Sequence, residues 1–221
     1  MALLNFMHET HNKTDRNYLQ RVNEFDKANC SWIAKKFAFD YWDGQRQFGY
    51  GGYRYDGRWR PLAKNLISHF NLNAGDKVLD IGCGKGYLLY ELSQELPGLI
   101  LTGLDCSEYA ISNSKDEIAS ALVLGNASSL PFKDNEFNAV FSIVTLHNLK
   151  LDKLFSAIRE IKRVSKSDKN FIVVESWRNE KERANLLYWQ LTCESFFGVD
   201  TWEWIFRECE YDGDWDFIFF E

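Results

Sequence analysis

Proline is almost absent from this chain, with 3 in 221 residues, and its 14 glycines are few and clustered, so long flexible linkers are excluded. No run approaches the roughly 18 consecutive apolar residues of a membrane span. The opening MALLNFMHETHNK has a short apolar patch with no basic region before it, and reads as no secretory signal. Metal ligands are scattered. Cys30, Cys83, Cys106, Cys193 and Cys209 form no C-x-x-C pair, and His8, His11, His69 and His147 lie far apart, so no metal site is expected. An odd number of cysteines without a signal peptide predicts reduced thiols and a cytoplasmic location. Positive charge is also short: 26 Lys and Arg face 32 Asp and Glu, a net charge of -6. A cationic field for phosphates is missing, so no nucleic-acid partner is expected.

What is present is a globular composition with one excess. Hydrophobic residues at 45% and charged residues at 26% rule out a disordered or fibrous chain. The length suits one large domain, or a domain with a small appendage. Aromatics are the excess, with 8 Trp, 10 Tyr and 17 Phe, and many gather near the front. Residues 1–60 read as an arm, and the apolar spacing of Tyr18, Val22, Phe25, Ile33 and Phe37 predicts a helix from Asp15 to Phe37. Then comes FDYWDGQRQFGYGGYRYDGRW, Phe39 to Trp59, with five of the 14 glycines. Glycine at that density opposes helix and strand, while rings such as Tyr41, Tyr50 and Tyr53 need somewhere to bury surface. Two readings stand: an irregular loop stapled down by its rings, or a lid whose glycines permit hinge motion.

Residues 61–221 alternate strand and helix signals. Helices are predicted at Pro61–Phe70, Tyr87–Leu96, Ala110–Ile118, Lys153–Val164, Glu182–Phe196 and Thr201–Glu208. Strands are predicted at Lys77–Ile81, Leu99–Leu104, Leu122–Leu124, Asn138–Val144, Phe171–Glu175 and Trp215–Phe220. Apolar strands alternating with helices specify a doubly wound, mostly parallel α/β sheet covered on both faces.

The strongest motif is VLDIGCGKGYLL, Val78 to Leu89. A strand ends at Asp80-Ile81, Gly82, Gly84 and Gly86 follow at alternate positions, and a helix begins. Such a loop lets backbone approach a ligand closely and aims N–H groups at it. A dinucleotide fold would carry G-x-G-x-x-G, but the third position of that spacing is Tyr87. A nicotinamide dehydrogenase is therefore disfavoured.

Over about Val78 to Trp177 the chain resembles the class I S-adenosylmethionine-dependent methyltransferases. The resemblance implies a Rossmann-like sheet and a loop, here Asp80, Gly82, Cys83, Gly84 and Gly86, that wraps the methionine part of the cofactor. It implies that Asp105, ending the second strand, takes both ribose hydroxyls, with Cys106 beside it. Two carboxylate oxygens suit two hydroxyl donors. GNASSLPF resembles the adenine-holding segment, with Asn126 where an acid is usual and Ala127 after it. FNAVFSIVTLHNL resembles the fourth strand and its exit, placing Ser142 at the cofactor and His147 near the transfer site. Each residue also has a plain alternative: Asp105 could cap the next helix, where Ser107 is an equally good cap, and His147 could be a loop histidine bonded to backbone. The order and spacing of the whole set favour the cofactor reading.

The function expected on this resemblance is methyl transfer to an O or N nucleophile of a small metabolite. His147 is the candidate base, on the argument that imidazole titrates near neutrality. Arg58 is a candidate for the cofactor's carboxylate; Arg46, Tyr41, Tyr50, Tyr53, Asn148 and Trp177 are candidates for the substrate. Two alternatives are a cofactor-binding protein without catalysis and a methyltransferase acting on a protein. The family usually ends in a sixth strand and an antiparallel seventh, but only one strand, Trp215–Phe220, is evident here.

Overall fold

The protein is described by a computed structural model covering residues 2–7 and 17–221; His8, His11 and the expected start of the first helix at Asp15 lie outside these. In chain order the arm comprises α1 (Tyr18–Glu24), α2 (Lys27–Ala34), α3 (Phe39–Trp42) and a 3-10 turn at Arg46–Phe48. Then follow α4 (Arg60–His69), β1 (Lys77–Ile81), α5 (Tyr87–Glu95), β2 (Ile100–Asp105), α6 (Glu108–Ser112), α7 (Asp116–Ala119) and β3 (Leu122–Leu124). The chain continues through β4 (Ala139–Ile143), α8 (Leu151–Val164), β5 (Asn170–Glu175), α9 (Glu180–Trp189), α10 (Val199–Glu208) and β6 (Asp214–Ile218).

The strands form one sheet in the order β3-β2-β1-β4-β5-β6, every pairing parallel. Alternate side chains of each strand feed opposite cores, as a period of two requires. Leu79, Ile81, Val140, Ile172 and Val174 enter one core with Leu154, Ile158 and Ile161 of α8 and Trp202, Ile205 and Phe206 of α10. Val78, Phe141, Phe171 and Val173 enter the other with Leu62 and Leu66 of α4, Leu89 and Leu92 of α5 and Leu186 of α9. Both faces are covered, which is why these strands read as continuous apolar runs.

Three departures from the sequence reading have local causes. The helix expected over Asp15–Phe37 is broken, because Phe25 is extended and Asp26 caps α2 by accepting from the Ala28 and Asn29 N–H groups. The helix expected over Ala110–Ile118 is two short ones, α6 ending at the Asn113 cap. The helix expected to reach Phe196 stops at Trp189, since Gln190 is extended.

The far edge is settled by chain ends. β6 pairs with β5 in parallel, and no antiparallel strand occurs among the described residues. Along its outer side, Leu3 forms a parallel bridge with Trp215, and Leu4 N–H donates to the Trp215 carbonyl at 2.8 Å. Asp216 anchors the same segment by accepting from Met7 N–H at 2.9 Å. No helix among the described residues is long and apolar enough to cross a membrane.

Candidate active site

The strand order turns back at β1, which lies between β2 and β4, and ligand crevices open at the carboxyl ends of strands at such a point. A cavity of about 650 Å³ opens there, lined by the motif loop, the ends of β2, β4 and β5, and the aromatic arm. That volume lies within the roughly 300–1,000 Å³ of small-molecule sites.

Steric demands explain the glycines. Gly82 has φ +80°, and a Cβ there would lie 2.0 Å from the Thr145 hydroxyl oxygen. Gly84 has φ +55°, and a Cβ would meet the Trp42 ring at 2.8 Å. Any side chain at either position is thus blocked twice, by backbone conformation and by a neighbour. Gly86 lies outside the cavity and serves as the left-handed N-cap of α5, which corrects its expected cofactor contact. The loop also donates less to a ligand than the motif suggests. The N–H groups of Gly82 and Cys83 go to the Leu104 carbonyl, that of Gly84 to Asp105 at 2.7 Å, and that of Gly86 to Cys83.

Asp80 and Asp105 face this loop. Asp105 accepts from Gly84 N–H through one carboxylate oxygen and from Ser107 N–H, at 2.8 Å, through the other. Ser107, not Asp105, caps α6. Asp80 is buried, its carboxylate accepts no hydrogen bond among the described residues, and it lines the cavity. Burial first, then the Asp105 charge, pushes its carboxyl up to about 7. A buried carboxylate without a partner fits a cationic ligand group, which would restore the ionised form. In the unfolded chain this carboxyl titrates near about 3.9, so the folded state holds an extra proton and loses stability as pH rises toward about 7. Affinity for a ligand ammonium runs the other way: it should climb up to about tenfold per pH unit below that value and level off near neutrality. Calorimetry with S-adenosylhomocysteine between acid and neutral pH measures this; a flat profile, or the same slope in Asp80→Asn, would remove Asp80 from the role.

At the exit of β4, Val144 takes φ +58°, a conformation rare for a β-branched residue and of a kind found at functional sites. It and Thr145 line the cavity beside Ile143. His147 follows, buried, with Nε2 3.5 Å from Oε2 of Glu175 and Nδ1 enclosed without a partner. Burial lowers the imidazole to about 3, so the expected near-neutral titration is corrected: the ring is neutral. Ser142 is also corrected. It lies outside the cavity, and its hydroxyl donates to the Ile81 carbonyl at 3.2 Å, tying β4 to β1. Trp177 is packing, stacked on Phe196 at 4.2 Å and outside the cavity.

The other sequence candidates line the cavity: Cys83, Cys106, Asn126, Ala127, Asn148, Tyr41, Tyr50, Tyr53, Arg46 and Arg58. Several of them are already engaged: Thr192 donates to Asn148 Oδ1 at 2.7 Å, Trp59 Nε1 donates to the Tyr53 hydroxyl at 3.0 Å, and Arg46 donates to the Gly49 carbonyl. Asn126 Oδ1 accepts from the Ser128 N–H and hydroxyl, both at 2.9 Å, and Arg58 forks onto Asp56. Sequence reasoning missed Arg21, Trp189 and Thr192 on the substrate side, all brought in from distant segments, and the polar ties of the arm. Asp43 of the arm accepts from Lys85 Nζ at 2.6 Å and from the Tyr109 hydroxyl at 2.8 Å. Lys85 Nζ and the Tyr87 hydroxyl each donate to the Tyr53 carbonyl at 3.0 Å. Trp42 donates to Ser107 Oγ at 2.9 Å. Rings and hydrogen bonds thus close the arm over the motif loop.

The sheet is a doubly wound, parallel α/β sheet with acids at the ends of β1 and β2. Residues 79–173 match the family model described as a methyltransferase domain. Demethylmenaquinone methyltransferase of Symbiobacterium thermophilum is 30% identical over 128 residues, 54% of this chain and 50% of its own. The human mitochondrial arginine-hydroxylase NDUFAF5 is 38% identical over 96 residues, 43% of this chain and 27% of its own. YcgJ of Bacillus subtilis shares the fold with a TM-score of 0.56 at 21% identity, covering 66% of each chain. The chain spans about half the length of the first curated relatives it matches.

Proposed function

We propose that this chain transfers a methyl group from S-adenosylmethionine to an O or N nucleophile of a small metabolite held under the aromatic arm. The observation that carries the reading is the pair Asp80 and Asp105 at the ends of adjacent strands, the first buried and without a partner among the described residues, in one cavity with the arm closed over it. Asp80 suits the amino group of the cofactor, Asp105 its ribose, and Gly125 to Ala127 its base. Bound there, the cofactor supplies a sulfonium-activated methyl carbon. The protein's share is orientation and exclusion of water, which the packed rings provide. Neutral His147, whose Nδ1 has no partner among the described residues, can orient an acceptor hydrogen without carrying charge.

Labelled S-adenosylmethionine incubated with cell extract split by a small-pore filter tests this. Label is expected in the small-molecule fraction. Label only in retained macromolecules would favour a protein substrate, a reading to which the likeness to the arginine-hydroxylase NDUFAF5 lends some support. Cofactor binding without label in either fraction would leave a binding protein without catalysis.

A further inference from the structure

At the exit of β4 an acceptor and a donor stand on neighbouring residues, each without a partner. His147 and Asn148 share a 3-10 turn, Leu146–Asn148, and both line the cavity. The turn is pinned from behind. The Glu194 and Ser195 N–H groups donate to the His147 carbonyl at 3.0 and 2.9 Å, and the Ser195 hydroxyl donates to the Leu149 carbonyl at 2.6 Å. His147 is 1% exposed, and its Nδ1 is enclosed with no hydrogen-bond partner among the described residues. Its Nε2 lies 3.5 Å from Glu175 Oε2, a neighbour that favours the hydrogen on Nε2 and leaves Nδ1 as the acceptor. Asn148 supplies the opposite function. Its Oδ1 accepts from the hydroxyl of buried Thr192 at 2.7 Å, which sets the orientation of the amide. Nδ2 is then a donor that meets no acceptor among the described residues.

Such a pair discriminates among nucleophiles by what each can offer. A hydroxyl fits it: the hydrogen goes to Nδ1, one lone pair accepts from Nδ2, and the second lone pair remains for the methyl carbon. A neutral amine has a single lone pair, so a bond from Nδ2 would occupy the pair that must attack. An ammonium has no lone pair, and a carboxylate brings no hydrogen to Nδ1. Each mismatch leaves a buried polar group unsatisfied, which costs more than the matched bond would add.

We propose that His147 and Asn148, the latter oriented by Thr192, select a hydroxyl as the methyl acceptor, so that the product is a methyl ether. The proposal rests on the methyltransferase reading and narrows its O or N nucleophile to one. The oxygen bonds the methyl carbon while the carbon–sulfur bond breaks and leaves its electron pair on sulfur. The hydroxyl hydrogen, acidified by the new bond, passes as a proton to Nδ1 and on to water as the product leaves. A weakly basic imidazole suffices, because the methylated oxygen is cationic until that proton goes.

Labelled product from the small-molecule fraction is treated with alkali and then with boiling hydriodic acid. Label is expected to survive alkali and to leave as methyl iodide in the acid, the behaviour of a methyl ether. N148D keeps an oxygen for Thr192 but puts an acceptor where the donor was, and its transfer rate should fall about tenfold or more. T192V should also slow transfer, with T192S recovering it, because the hydroxyl orients the amide. S-adenosylhomocysteine affinity should stay within about twofold in all three, which marks them as folded. The proposal falls if alkali releases the label, as from a methyl ester, or if label resists both treatments, as on nitrogen or carbon. It also falls if N148D transfers like the wild type, which would turn the amide the other way round. Label confined to macromolecules removes the small-metabolite reading alone, and the same two treatments of that fraction then decide for or against a hydroxyl. Binding of S-adenosylhomocysteine with no label anywhere removes the transferase reading and this proposal with it.

Discussion

Trp42→Ala is expected to weaken attachment of the arm by about 3–5 kcal/mol, the range for truncating a buried large aromatic. The ring is 7% exposed and touches three others: Tyr41 at 5.1 Å, Tyr50 stacked at 5.4 Å and Tyr53 at 5.2 Å. Its indole N–H also reaches Ser107 at the cap of α6, and its six-membered edge covers Gly84. Removing it opens a cavity above the cofactor loop and cuts one tie between arm and sheet. The sheet itself keeps its two cores, so the loss is local, an opening of residues 39–59 rather than global unfolding. Hydrogen exchange should show that segment losing protection while β1, β4 and β5 keep theirs, and S-adenosylhomocysteine should dissociate faster. Unchanged protection in the variant would mean the ring fills space without holding the arm. The same measurement on the wild type decides between lid and staple. Protection that rises with S-adenosylhomocysteine marks a lid, and equal protection in both states marks a static staple.

Asp105→Ala should weaken S-adenosylhomocysteine binding by about 1.5–3 kcal/mol, roughly 10- to 150-fold, on the scale of hydrogen bonds to a charged group. The carboxylate does two jobs. It braces the loop by accepting from Gly84 and Ser107, and its remaining lone pairs face the cavity. Removing it leaves two enclosed N–H groups without acceptors, so the melting temperature should fall as well. The two jobs separate in calorimetry: unchanged affinity with a lowered melting temperature would assign Asp105 to bracing alone.

Much of the motif end of the cavity was legible in the sequence. Val78 to Gly86 states its conformation locally, because alternating glycines after an apolar strand admit few backbone paths. The strand ends that place Asp80 and Asp105 follow from strands of five and six residues with apolar cores. The end of the cavity under the arm was not legible. Asp43 and Lys85 are 42 residues apart, and Arg21 meets Trp189 across most of the chain, so no local pattern announces either contact. Ser142 and Trp177 failed for the same reason. A position near the carboxyl edge of a strand does not say whether its side chain faces the crevice or the next element, and here they face Ile81 and Phe196.

By itself the sequence determined the alternation of strand and helix, the cover on both faces of the sheet, and the glycine loop with its two acids. Those depend on side-chain periodicity and backbone sterics, which act between residues a turn or a strand apart. Only the tertiary structure decided that residues 2–7 run along β6, that the aromatic arm closes over the motif, and that Arg21 lies in the cavity against Trp189. It also decided the chemistry of Asp80 and His147. The Asp80 carboxyl rises and the His147 imidazole falls because each loses water to elements that arrive from elsewhere in the chain, and desolvation is a property of the packed neighbourhood, not of the residues on either side.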